Sequence, residues 1–359
     1  MSQFTEAACW LALLQATDLP RRAAKEAIQK WCLQDARSMR EFLYLSVGDV
    51  AEHLNLSPDI LQRMLAKREE IPAWEKRLAE LAQRDVQILL RQDVAYPDLL
   101  AERLDLMHQP FYVFYRGSIE LLAEPGLLVL GASSPDGAGM AFAHSMGEGA
   151  ASLDVHVVGG YDQGVERIAQ EAALASGGAS IIVLPLGIER FERAIRSMAH
   201  PLQEERLLVL SPFAPDAELS DLAAKARRSL AAALAGVCVI LEPNVQPQER
   251  GGTQALQTGH VPTYVWRHGN EDLVQAWTAT GAKLVDNLDQ ALAQVSAWVA
   301  PPEEADGAEP IPLDEAEAYG VEPIHFKDAD DAIQRLSESG QVPDRLKRRL
   351  QDTDWTDEP

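Results

Sequence analysis

Between Leu127 and Val299 the chain alternates short apolar runs with alanine-rich stretches, and this alternation constrains the fold more than any other feature of the sequence. The runs are Leu127–Leu130, Val155–Val158, Ile181–Leu184, Leu207–Leu210, Val237–Leu241, Thr263–Val265 and Leu284–Val285. They have the length of strands, and the stretches between them have the composition of helices. A strand that is apolar throughout must be covered on both faces. In an alternating pattern that means a mostly parallel, doubly wound sheet with helices on either side. The expected fold is therefore α/β and Rossmann-like, preceded by a small all-helical domain. Ligands of such sheets lie off the carboxyl ends of the strands, so the turns at Gly131, Gly159-Gly160 and Gly251-Gly252-Thr253 are expected to converge on one edge. Dinucleotide binding fits poorly, because Gly131-Ala132-Ser133-Ser134-Pro135-Asp136-Gly137 lacks the tight G-x-G-x-x-G spacing.

The middle turn carries the most information about a site. Val155–Val158 runs into Gly159-Gly160, and an alanine-rich helix follows Gly164, Val165 and Glu166. Glycines let the backbone turn tightly, and a helix N-terminus presents N–H groups and a positive dipole end to a phosphate or carboxylate. Taken alone, the stretch is satisfied equally by an anion site and by plain strand-to-helix packing.

With the remainder of the chain the pattern becomes specific. The stretch from Gly159-Gly160-Tyr161-Asp162-Gln163-Gly164-Val165-Glu166 through Ala169, Gln170, Ala172, Ala173 and Leu174 resembles the S-G-x-A-x-G-I-D-x-x-A-H-x-G-A-L signature of the DprA/Smf DNA-processing family. Tyr96-Pro97, Leu100, Pro110, Tyr112 and Gly117 fall where that family's preceding segment has them. Gly131-Ala132-Ser133 and Gly139 stand at its V-G-S-R and later Y-G, and Arg227 through Glu242 is similar to R-N-R-I-I-A-x-L-x-x-V-V-V-V-E. Gly251-Gly252-Thr253, Gly259–Val265, and Asn270, Leu273, Gly281 and Ala282 continue the match in order.

The resemblance implies a protein that binds single-stranded DNA and hands it to a RecA-type recombinase, as in the uptake of transforming DNA, without a cofactor and without turning over a substrate. The binding set it implies is Gly131, Ala132, Ser133, Gly159, Gly160, Gly164, Glu166, Lys225, Arg227, Arg228, Arg250, Gly251, Gly252 and Thr253. Held by helix N-termini and a few cations, the sugar-phosphate backbone would be bound without regard to sequence.

Departures from the pattern weaken the site for polyanions. Ser133 stands at the V-G-S-R arginine, Gln170 at the histidine, and Arg228-Ser229 at the N-R of R-N-R, while Glu166 replaces aspartate. The cations left are Lys225, Arg227, Arg228 and Arg250; a solvated helix face or a surface ion pair is the plain alternative for Arg227 and Arg228. The losses keep a second reading open, a Rossmann-like sensor of a nucleotide ligand. A nucleoside monophosphate phosphoribohydrolase is a third, although Arg250-Gly251-Gly252-Thr253 does not continue into P-G-G-x-G-T-x-x-E.

Charge bears on the same question. The net charge is -23, of which residues 301–359 carry -11 from 17 acidic and 6 basic residues. The rest of the chain is acidic too, so attraction to nucleic acid has to be local. Other chemistry is sparse. Cys9, Cys32 and Cys238 have no metal-like or C-x-x-C spacing, and none of the eight histidines pairs as H-x-x-x-H or H-E-x-x-H. No G-x-S-x-G elbow surrounds Ser133, Ser211 or Ser229. Asp162 and Glu166 lie four apart, but acids in turns are common and no acid–base pair is assigned. Apolar runs are too short to span a membrane and no signal peptide is recognisable, so a cytoplasmic location is expected.

The organisation expected is a helical domain over 1–80, a connecting segment over 81–126, the Rossmann-like domain over 127–299, and an acidic linker with a helical tail over 300–359. In the first, Ser57 and Pro58 read as the N-cap and first position of a helix. By the resemblance this domain has a protein-contact role; a structural lid on the next domain is the plain alternative. In the last, Arg345, Lys347, Arg348 and Arg349 beside acidic residues read as a self-neutralising helix face, or as a segment that docks a partner or a second copy of the chain in a homodimer.

Overall fold

The apolar runs become the strands of one nine-stranded sheet in the order β1-β2-β6-β5-β4-β3-β7-β8-β9. The computed structural model describes residues 4–244, 256 and 261–299. Six helices come first: α1 (Thr5–Leu14), α2 (Arg21–Ile28), α3 (Met39–Leu43), α4 (Val47–Ala51), α5 (Pro58–Ala66) and α6 (Ile71–Ala82). Next are β1 (Gln87–Leu90), α7 (Asp98–Arg103), β2 (Tyr112–Gly117), β3 (Gly126–Gly131), α8 (Gly137–Ser152), β4 (Val157–Gly159) and α9 (Val165–Ala175). Then come β5 (Ser180–Val183), α10 (Glu192–Ser197), α11 (Ala199–Gln203), β6 (Leu207–Ser211), α12 (Asp221–Leu234) and β7 (Ala235–Leu241). The last elements are β8 (Thr263–Trp266), α13 (Glu271–Ala279), β9 (Lys283–Val285) and α14 (Leu288–Val299). Residues up to Val299 form one compact unit, and Ala300–Pro359, with the tail basic cluster, lies outside the described residues.

The sheet is parallel from β6 through β9, and the Rossmann-like expectation holds. It also extends further toward the N-terminus than the alternating pattern reaches. Residues 81–126 contribute β1 and β2, which pair antiparallel with each other and, through β2, with β6. Phe111 to Phe114 are buried there, and the hydrogen bonds of that edge are completed by chain brought back across the sheet.

Burial follows the two-residue period of the strands. Leu128, Leu130, Val158, Ile181 and Ile240 face the layer that holds α12 and α13, whose Leu230, Leu234 and Trp277 are buried against them. Leu127, Val129, Val157, Val237 and Val239 point the other way, onto α8, α9 and α14. The register carries this second face on to Ile182 and Leu207, where Trp10, Trp31 and Phe42 of the N-terminal helices join the same core. The helices of the first 80 residues thus complete the cover of one sheet face. Lys25 fastens them: its Nζ donates to the carbonyls of Leu106 and Met107 at 2.9 Å and of Gln109 at 2.6 Å. Ser57 caps α5 by accepting from the Ile60 N–H, with Pro58 in first position. No described helix is long and apolar enough to cross a membrane.

Candidate functional site

Strand β3 lies between β4 and β7, so the chain winds outward in one direction from β3 to β6 and in the other from β7 to β9. The carboxyl ends of the strands around β3 are therefore where a doubly wound sheet opens a crevice. Gly131-Ala132-Ser133 leaves β3 and Gly159-Gly160 leaves the adjacent β4, and the two turns meet. Gly164 has φ +94°, a conformation only glycine takes without strain, and a Cβ there would lie 2.2 Å from the Ala132 carbonyl. The Val165 N–H donates to that same carbonyl at 3.1 Å. The third turn, with Arg250, Gly251, Gly252 and Thr253, lies outside the described residues.

Arg227 crosses from α12 to the Gly159-Gly160 turn. Its guanidinium lies so close over Gly160 that a Cβ there would be 1.4 Å from Nη1, so any larger residue would have to displace the arginine. Nη2 donates to Asp162 Oδ2 at 2.5 Å, and Nη1 is 3.6 Å from Glu166 Oε2. The Arg227 side chain is 2% exposed, whereas Asp162 is 55% exposed and Glu166 9%. Arg227 is thus neither on a solvated helix face nor in a surface pair. Glu166, in the first turn of α9, also accepts the Gly160 N–H at 3.0 Å. Arg227 Nε and Nη1 and Arg228 Nε are buried without a hydrogen-bond partner. They border a space of about 10 Å³ lined by Leu128, Leu130, Gly160, Glu166, Arg227, Arg228 and Ala231, room for about one water. Burial, and then the neighbouring Arg227, hold the Arg228 guanidinium below its ordinary pKa. Lys225 is exposed on α12, three residues from Arg228 and on the same helix face. Ser133 is exposed beside Gly164.

Gln170, at the histidine position of the signature, has a role the sequence reading missed. Its Oε1 accepts the Tyr161 N–H at 2.9 Å, and its Nε2 donates to Ser180 Oγ at 2.9 Å and to the Ile181 carbonyl at 3.0 Å. It is fully buried and staples α9 and the turn to β5. Tyr161, in the left-handed region at φ +58°, packs edge-on against Phe191 and carries the Arg167 guanidinium over its ring at 4.6 Å.

A second cluster was also invisible in the sequence. Asp136 caps α8 by accepting the Gly139 N–H at 2.8 Å, and His268 Nε2 lies 2.9 Å from Asp136 Oδ2 and 3.9 Å from Glu242 Oε1. Glu242, at φ +46° just beyond β7, accepts the Asp136 N–H through both oxygens, and His268 stacks on Trp266 at 4.1 Å. The Gly139 N–H and the His268 contact hold the Asp136 carboxyl well below the usual range, while burial and Asp136 push Glu242 up. Among the described residues these three could each offer one atom to a metal ion, but each is already used in capping α8 and pairing the β7 and β8 ends.

Fold and site together define a Rossmann-like protein with a glycine turn and a buried arginine at the switch of its sheet. The profile of the DNA recombination-mediator protein A family matches residues 87–295, and the chain belongs to that family. The matched region runs from the first residue of β1 into α14, so the two antiparallel strands are part of it. The DNA processing protein DprA of Streptococcus pneumoniae is 25% identical over 207 residues, which cover 56% of this chain and 72% of that protein. An X-ray structure of the Streptococcus pneumoniae protein superposes with a TM-score of 0.61 at 20% identity, over 80% of this chain and 97% of that one. A structure of DNA processing protein A from Helicobacter pylori, concerned with its single-stranded DNA binding mode, gives a TM-score of 0.49 at 20% identity, over 58% of this chain and 95% of that one. The family is one of DNA-processing proteins.

Proposed function

We propose that this chain binds single-stranded DNA through its sugar-phosphate backbone at the Gly131 and Gly159-Gly160 edge, and passes the strand to a RecA-type recombinase. The observation that carries the reading is the arginine pair of α12: Arg227 is buried beneath the glycine turn with two nitrogens lacking hydrogen-bond partners, and Arg228 lies beside it with a third. An arginine pair with hydrogen bonds unmade keeps its attraction for anions, and a phosphate oxygen is an acceptor that suits the planar fork. Lys225 and Ser133 stand exposed around the same edge, Gly164 and Glu166 shape its turn, and Arg250 with Gly251-Gly252-Thr253 completes the proposed set from beyond the described residues. The helices of residues 1–80 form the protein-contact part. The space beside Gly160, about 10 Å³ among the described residues, is far below the roughly 300 Å³ of a small-molecule site, which favours the DNA-binding reading over a nucleotide pocket at this edge.

The test is a fluorescence-anisotropy titration of the full chain with labelled single-stranded and duplex DNA over a series of salt concentrations. Single strands are expected to bind more tightly than duplex, and Arg228→Ala to lower the log–log salt slope by about 0.7. Transfer is tested by whether the protein speeds RecA assembly on the same strand. Absence of binding at low salt by folded protein would refute the reading.

A further inference from the structure

Three groups meet at the Arg227 guanidinium, and they differ in how firmly they are held. Glu166 is buried, fixed in the first turn of α9 and hydrogen-bonded by the Gly160 N–H. Arg227 is buried in the middle of α12. Asp162 is the least enclosed member: it belongs to the loop between β4 and α9, and its side chain is more than half exposed. Of the two carboxylates it makes the closer contact with the guanidinium, at Nη2. Two carboxylates thus share one arginine while Nε and Nη1 lack hydrogen-bond partners. In the family signature quoted above, the position of Asp162 is alanine.

Resting on the DNA-binding reading of this site, we propose that Asp162 is a built-in competitor for the phosphate. Its half-exposed carboxylate covers Nη2 of the buried Arg227 guanidinium, and DNA engages Arg227 when a backbone phosphate takes that place and Asp162 swings into water. The exchange conserves the pairing of Arg227, because Glu166 stays in position. It attenuates affinity, because the phosphate bound at Arg227 costs one ion pair already made. A single phosphate gains little from such an exchange; a strand that presents several phosphates to Arg227, Arg228 and Lys225 together gains more.

The experiment is the same anisotropy titration of the full chain with fluorescein-labelled oligothymidine, using Asp162→Ala and Asp162→Asn. Asn keeps an acceptor for Arg227 Nη2 while removing the charge. Circular dichroism checks that both variants keep the wild-type fold, as expected for an exposed loop side chain. Both are expected to bind about tenfold more tightly than wild type at low salt, as for removal of one close like charge from a charged contact. The gain should disappear when either change is made together with Arg227→Lys, which keeps the charge but not the planar fork. Wild-type binding with no gain in either variant overturns the exchange and leaves the DNA-binding reading standing. A gain that persists unchanged in the Arg227→Lys background also overturns it, as general relief of negative charge. Absence of binding by folded wild type removes the DNA-binding reading and this inference with it.

Discussion

Replacing Arg227 by Met isolates what the buried guanidinium contributes to the fold. Met matches much of the side-chain length and fills the space against Leu128, Leu130 and Ala231, so the change removes charge more than packing. Two carboxylates lose their cation, and their fates differ. Asp162 is more than half exposed and turns to water at little cost; Glu166, 9% exposed, cannot leave without breaking its bond from the Gly160 N–H. Breaking a buried pair by removing one partner costs about 3–5 kcal/mol when both members are enclosed. Here one member escapes, and the arginine removed was itself missing hydrogen bonds at Nε and Nη1. The expected loss is therefore about 2 kcal/mol, below the enclosed-pair range. In a unit that runs to Val299 that lowers the melting temperature by roughly 3 °C, measurable by calorimetry or by circular dichroism. Adding Glu166→Gln removes the stranded charge and is expected to recover at least half of the loss, as a coupled pair should. Arg227→Met melting within a degree of wild type, or a double variant no better than the single, would refute the account of Arg227 as the counter-charge of a buried Glu166.

Two further outcomes follow from groups around the same sheet edge. Gln170→Leu strands the Tyr161 N–H and removes the donor to the Ile181 carbonyl and to Ser180 Oγ, which keeps its own bond to the Val157 carbonyl, and is expected to cost about 2 kcal/mol in urea unfolding, within the range for buried polar groups left unsatisfied; an unchanged midpoint would show that α9 does not depend on this staple. Glu242 has its carboxyl raised by burial and by Asp136, so the native state holds that proton more tightly than the unfolded chain; its contribution is present below the unfolded carboxyl value and lost as pH rises through the raised one. Asp136, held low, contributes in the opposite sense, with stability lost only as pH falls toward its depressed value. Glu242→Gln keeps an acceptor for the Asp136 N–H and should flatten the fall in melting temperature as pH rises above the ordinary carboxylate range; a profile parallel to wild type would show that Glu242 does not titrate there.

The sequence by itself determined the parallel sheet and the meeting of two glycine turns. The reason is that both are written in local periodicity: apolar runs of strand length recurring between helical stretches force a doubly wound sheet, and Gly131 and Gly159-Gly160 stand directly after adjacent runs. The Ser57-Pro58 helix start was legible for the same reason, since a cap is a matter of four neighbouring residues. Only the tertiary structure decided the rest. That β1 and β2 join the sheet antiparallel depends on β2 finding β6, some ninety residues on, and no local pattern specifies that partner. The Arg227–Asp162 pair is separated by 65 residues and the Asp136–Glu242 contact by 106. Charged residues read alike in a sequence whether solvated or enclosed. Burial of Arg227 under Gly160 was settled by where α12 crosses the sheet, and that crossing turned a candidate surface cation into the enclosed centre of the site.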